Sequence, residues 1–569
     1  MNHYFFSYEN PHKHFVDINF TVETRGENQI TFQLPSWRPG RYELGNFSKN
    51  VQKWAAFDEN GNQLPHRKIT KDCWAVQTEG AEKVTITYNY YANKLDAGST
   101  YLDEKQLYIN PINCCLYIVG REMENCTIEL DIPSDYQIAG GLKKEGNTLF
   151  ADNFDQLVEC PFIASNSLQH DSYEVDGIPF HLWFQGPCNP PFEKLKQDFT
   201  AFTKEQINCF GGFPTEEYHF LFQITPYKSY HGVEHTNSTV ILLGSEEDVF
   251  DKRYEDLLGI SSHELYHTWN IKSIRPIEML PYDYTKENYS KLGYVAEGVT
   301  TYMGDIMLYR PRVFEWKNFV KTQNENLKRH FENEGRHNLS VADSSFDTWL
   351  DGYELGIPNR KTSIYTEGAL NMLMIDLNII AHSEGKYSLH DVMKELYHNF
   401  ALKRKGYTEE DFQALCVEKG GLEVDKIFNK HIYGTEDYTN SLKEALNIVG
   451  LQLEEQKNPS LSARYFGFMT AKEEGKTIIK KIQLNSISDK NGIAVEDEVL
   501  SVNGKSIGRK KINDLLKTEQ ESITLSIKRR FETVEHTFST KNNHFPLLTI
   551  KESENSTKEQ LLLRKVWSK

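Results

Sequence analysis

The chain has 569 residues, of which 39% are hydrophobic and 12% aromatic, and it carries a net charge of −17. That length predicts about three or four domains, and the apolar content excludes a disordered or fibrous chain. The acidic balance repels phosphate backbones, so nucleic acid is not an expected partner. No run of about 18 apolar residues is present, so no membrane span is expected.

From residue 1 to 168 the pattern alternates, as in Phe15-Val16-Asp17-Ile18-Asn19-Phe20 and Val84-Thr85-Ile86-Thr87-Tyr88, with turn signals at Gly26 and Gly61. This period of two predicts an N-terminal antiparallel β domain. Residues 169–455 open with three short apolar strands, at 180–184, 219–223 and 238–242. Helical patterns follow over 251–270, 293–309 and 367–381, which together predict an α+β domain. Short strands return over 456–545, where Asn503-Gly504 is a strong hairpin signal. Residues 546–569 read as a charged C-terminal tail with one helix-like stretch. The whole is a multidomain α+β chain. Its eight cysteines include no C-x-x-C pair, and the polar segment from Met1 to Phe15 lacks the apolar stretch of a signal peptide. A cytoplasmic protein with reduced thiols is expected. The oligomeric state is not legible.

The chemistry concentrates at His263-Glu264-Leu265-Tyr266-His267. Two histidines four apart on a helix share a face and reach one Zn²⁺, while Glu264 stands beside them as a general base for a water that the metal activates. The alternative is an ordinary polar helix surface. A third ligand is required. Asn270 and Ser273 occupy the positions where a metzincin has glycine and histidine, which excludes that class. The candidate is Glu297, thirty positions beyond His267 on a separate helix, with a helix-start glutamate as the plain alternative. Asp305, two turns further on, is placed to hydrogen-bond a ligand histidine.

These residues carry a resemblance to the glycyl aminopeptidase family of gluzincin metallopeptidases. The matching segments are His263 to Asn270, Arg275-Pro276, Ala296-Glu297-Gly298 with Tyr302, Gly304 and Asp305, and Leu34 to Tyr42 near the N-terminus. The segment around Gln560 and Trp567 also fits. The resemblance implies a thermolysin-like catalytic domain at 169–455 and one Zn²⁺ per chain. His263, His267 and Glu297 would be its ligands and Glu264 the base. Tyr365 lies in a segment resembling the one that carries the transition-state tyrosine of related aminopeptidases. His231-Gly232-Val233-Glu234-His235 resembles the family's substrate segment. In it Gly232 lets a peptide backbone approach, and Glu234, with His235 beside it, is placed to pair with a free α-ammonium. The expected activity is release of small N-terminal residues, Gly or Ala, from peptides with a free N-terminus. A zinc endopeptidase and a peptide-binding scaffold with an inactive peptidase domain are the alternatives.

The segment 456–545 resembles a PDZ domain, with Phe466-Gly467-Phe468 as the loop whose amides would receive the carboxylate of a C-terminal peptide. A structural cap on the catalytic domain is the competing reading, and the residues do not choose between them.

Overall fold

The computed structural model describes residues 2–354, 356–508, 510–517 and 521–569. Among these, the N-terminal domain is a seven-stranded sheet packed with two four-stranded sheets. The strand Phe15–Glu23 shows the reason: Val16, Ile18, Phe20 and Val22 are buried while Asp17, Asn19 and Glu23 are exposed. One pairing departs from the expected antiparallel pattern, because Asn2–Ser7 runs parallel to Cys126–Leu130. All eight cysteines are free.

The second domain begins with a five-stranded sheet: β1 (Gln169–Val175), β2 (Ile178–Gln185), β3 (Tyr218–Thr225), β4 (Ser229–Glu234) and β5 (Ser238–Gly244). Their order is β1-β2-β3-β5-β4, so β4 is an edge strand. Strands β2, β3 and β5 are parallel and almost wholly buried, as the continuous apolar runs require. An apolar cluster including Tyr108, Ile163, Trp183, Leu221, Val233 and Val240 joins this sheet to the N-terminal domain.

Four helices follow that matter to the site: α1 (Tyr254–Tyr266), α2 (Thr300–Tyr309), α3 (Trp316–Phe331) and α4 (Thr366–His382). The helix expected from 293 is not regular. Residues Tyr294–Val299, Glu297 among them, form a π-helix that runs into α2. Asn270 supplies the cause. Its side-chain amide donates to the carbonyls of Val295 and Ala296, at 2.9 and 3.1 Å, and so stabilises a widened turn. Gly298 and Gly368 meet backbone to backbone, with no room for a β-carbon on either, which draws the π-helix against α4.

Residues 457–545 form a separate lobe whose core includes Phe466, Phe468, Ile479, Val499, Leu525 and Phe538. Asn503 and Gly504 both take the left-handed conformation that a tight hairpin demands. Residues 546–569 are not a tail. Leu547–Glu552 pairs antiparallel with Leu451–Gln456, and a helix α5 (Lys558–Trp567) packs on the second domain. Trp567 is 1% exposed, and its indole donates to the Tyr302 phenol at 2.7 Å. Burial of that indole outweighs the charge that made the segment look solvated. No helix among the described residues is long and apolar enough to cross a membrane.

Candidate active site

Helix α1 presents His263, His267 caps its C-terminus one turn on, and their Nε2 atoms lie 3.0 Å from each other. Glu297 faces both, with Oε2 3.6 Å from His263 Nε2 and 3.5 Å from His267 Nε2. All three donor atoms fall within 4.8 Å of one another. The second nitrogen of His267 decides what this cluster is. Nδ1 lies 3.0 Å from the Asn270 carbonyl, an acceptor, so the proton sits on Nδ1 and the Nε2 lone pair points inward. Glu297 Oε2 is buried without a hydrogen-bond partner among the described residues. Inward lone pairs and an orphaned carboxylate oxygen are the donor set of a divalent metal, and these residues fit one.

A second trio, His181, Glu217 and His219, also brings three donor atoms within 4.8 Å of one another. There the tautomer is the opposite. The Trp183 indole N–H donates to Nδ1 of His219 at 3.2 Å, so the neutral ring carries its proton on Nε2, the atom 3.3 Å from Glu217. A proton stands where a metal would need a lone pair, so the trio does not present a metal's donor set.

Glu264 is 5% exposed and lies directly beneath Gly232 of β4, where a β-carbon would overlap its carboxylate. Burial, opposed by His267 and reinforced by Glu234 and Glu297, pushes Glu264 up to about 8. Glu234, at the end of β4, is also buried, and one of its oxygens lies within 4.8 Å of donor atoms of both Glu264 and His267. Gly40 from the N-terminal domain presses on that carboxylate with no space for a β-carbon.

Two expected site residues do not take the expected part. His235 follows the end of β4 and is buried beside Glu159 and Lys272. There burial holds its pKa down to about 3, and it does not line the cleft. Asp305 does line the cleft but does not orient a histidine. Its carboxylate accepts from Gln323 of α3 at 3.4 Å, and the Asn270 carbonyl has taken the place beside His267. Tyr365, the residue preceding α4, stands at the cleft 41% exposed and within electrostatic reach of Glu297 and Glu234.

The sequence missed a residue of the N-terminal domain. The phenol of Tyr42 donates to Glu297 Oε1 at 2.8 Å, while Oε2 of the same carboxylate faces the histidines. Its only signal was its place in the segment Leu34 to Tyr42, which carries no local chemistry. Tyr42 also helps to line a cavity of ≈ 30 Å³ between Trp37, Trp349, Glu234 and Glu297. The cleft beyond the histidines is far larger, ≈ 640 Å³.

In the C-terminal lobe Gly467 caps the short helix Leu461–Phe466 in the left-handed conformation, and its amide donates to the Ala463 carbonyl at 2.9 Å. The expected carboxylate loop at Phe466, Gly467 and Phe468 therefore has its central amide already engaged, and both phenylalanines are fully buried.

Residues 3–166 match the Peptidase M61 N-terminal domain, and residues 256–371 match M61 glycyl aminopeptidase. Among solved structures, the aminopeptidase N family protein from Idiomarina loihiensis is 25% identical, with a TM-score of 0.91 over 100% of both chains. The M1 zinc metallopeptidase from Deinococcus radiodurans is 12% identical with a TM-score of 0.48, over 77% of this chain and 94% of that one, a likeness too slight to carry an argument. No curated protein matches the chain.

Proposed function

From a chain that belongs to the M61 glycyl aminopeptidase family and is a metallo-aminopeptidase, we propose that the metal is one Zn²⁺ and that the reaction removes small residues from free peptide N-termini. His263, His267 and Glu297 would hold the ion, which when bound supplies a Lewis acid for water and the scissile carbonyl.

The chain's own groups do the rest. Glu264 takes the proton of the attacking water and returns it to the leaving amine. Tyr365 donates to the oxygen on which charge develops. Glu234 pairs with the substrate's α-ammonium, and the glycine at 232 lets the peptide backbone lie against β4.

One observation carries the exopeptidase reading. A Glu234 oxygen sits within 4.8 Å of donor atoms of Glu264 and His267, so an ammonium held there has room for about one residue before the scissile bond. The small cavity beside Glu234 and Glu297, walled by Trp37, Tyr42 and Trp349, supports the preference for small residues.

The test is hydrolysis of Gly-, Ala- and Leu-terminated peptides, free and N-acetylated, with and without chelation. Free Gly and Ala peptides should be cleaved, and their acetylated forms should not. Equal cleavage of both forms would replace this reading with an endopeptidase, and activity that survives chelation would remove the metal.

We infer further that the C-terminal lobe is PDZ-like and serves as a structural lobe. The engaged Gly467 amide supports this over capture of a C-terminal peptide. Eight free thiols, seven of them buried, support a reducing cytoplasmic location.

A further inference from the structure

Strand β4 works as a ruler across the site. Side chains at i, i+2 and i+4 share a face, so Glu234, Gly232 and Tyr230 point the same way. His231 turns to the other side, where its Nδ1 accepts from the Ala97 amide at 3.3 Å. On the proposed reading, Glu234 marks the substrate's N-terminus, and Gly232, above Glu264, marks the scissile bond. Tyr230 then marks the chain beyond the bond, roughly 13 Å from Glu234 along an extended strand. Tyr230 lies within electrostatic reach of both Glu264 and Asp305.

Asp305 sits on α2 next to Gly304, whose backbone packs against His263. It is half-buried, lines the ≈ 640 Å³ cleft with His263 and Glu264, and has only the long contact from Gln323 and the Thr322 hydroxyl beside it. Burial pushes its carboxyl up to about 7. Two of the three cations lining the cleft are committed elsewhere, Arg253 to Asp256 at 2.9 Å and Lys321 to Glu255 at 2.9 Å; the third, Arg329, is exposed and makes no ion pair with Asp305. A half-buried carboxylate that lines an open cleft, with no cation in ion-pair contact among the described residues, is placed to bind one.

We propose that Asp305 is a specificity residue for the proposed reaction, receiving the side chain that follows the scissile bond and selecting a cationic one, Lys or Arg. The proposal rests on the reading of Glu234 as the ammonium anchor, because that fixes which way the peptide runs. The second residue of the substrate then reaches past Glu264 toward Tyr230 and α2, where Asp305 offers a charge-assisted hydrogen bond.

The experiment uses the full-length metal-loaded enzyme and the peptides Ala-Lys-Ala-Ala, Ala-Leu-Ala-Ala and Ala-Glu-Ala-Ala, each free and N-acetylated. The wild type should favour Lys over Leu by about tenfold in kcat/KM, mostly through KM, and should disfavour Glu. Asp305→Asn, which keeps the shape of the side chain, should bring Lys and Leu level. Asp305→Arg should move the preference to Glu. A wild type indifferent to the second residue would overturn the proposal without any variant, and so would a Lys preference that survives Asp305→Asn. Dependence on a free N-terminus is read from the acetylated set, so the anchor reading and the Asp305 proposal fail on different comparisons.

Discussion

Tyr42 and Glu297 are 255 residues apart in the chain and joined by a 2.8 Å hydrogen bond that ties the N-terminal domain to the metal cluster. With one carboxylate oxygen held by the phenol, only the other faces the histidines. Tyr42→Phe should therefore loosen Glu297 without removing it. The expected result is a loss of metal affinity of roughly 10- to 100-fold, read by competition with a chromophoric chelator. Near-normal activity should return when Zn²⁺ is in excess. Unchanged affinity would reduce the contact to packing.

Glu264 and His263 separate chemistry from metal binding. Glu264→Gln should keep its metal and lose about 10²–10⁴ in kcat. His263→Ala should lose both metal and activity. Metal content measured beside turnover distinguishes the two, and wild-type metal content in His263→Ala would refute the ligand assignment.

Gly232 has no room for a side chain because Glu264 fills the space. Its backbone φ is not in the left-handed region, so alanine costs nothing conformationally. Gly232→Ala should therefore fold, with a melting temperature near that of the wild type, yet lose about 100-fold in kcat as the carboxylate is displaced. A large fall in melting temperature with normal specific activity would contradict this.

Glu159 of the N-terminal domain and Lys272, just beyond α1, form a buried ion pair at 2.6 Å. Burial alone would raise the Glu159 pKa, yet Lys272 and His235 hold it below the ordinary value of 4.5. A depressed carboxyl contributes stability above its unfolded pKa and loses it as pH falls through the folded one. The contribution should therefore fade below about pH 4.5. Lys272, raised above 10.5, loses its share only in strong alkali. Lys272→Ala should cost about 3–5 kcal/mol near neutral pH, measured by denaturant unfolding, and should flatten the acid limb of the stability profile.

Trp567→Ala should cost about 3–5 kcal/mol. It also leaves the Tyr302 phenol with Asp376 as its remaining partner, at 2.6 Å. Differential scanning calorimetry would read the loss. A change confined to the C-terminal lobe would contradict the packing described for α5.

The sequence revealed what local periodicity encodes. Histidines four apart must share a helix face, and alternating strands must bury one side, so the metal motif and the β domain were legible. Glu297 was legible as a candidate, but the π-helix beneath it was not, because Asn270 enforces that turn from another segment. Tyr42 lies in an irregular loop with no period to read. His235 and Asp305 were misplaced for a related reason: strand ends and helix phase decide direction, and a one-residue difference in either turns a side chain away. Trp567 looked like part of a solvated tail because charge dominates its neighbours in sequence, whereas burial depends on neighbours in space.

The C-terminal lobe enters and leaves the catalytic domain through one pair of strands, and Gln456 faces Leu547 directly across it. The lobe is thus an insertion joined through a two-stranded stalk, with Lys481 also meeting Glu332 at 3.4 Å, and the host domain is finished by residues made after it. No stop codon can remove the lobe without also removing α5 and Trp567. A short turn spliced from Gln456 to Leu547 can, because the two ends already lie side by side. Excision, not truncation, is the way to ask what the lobe contributes.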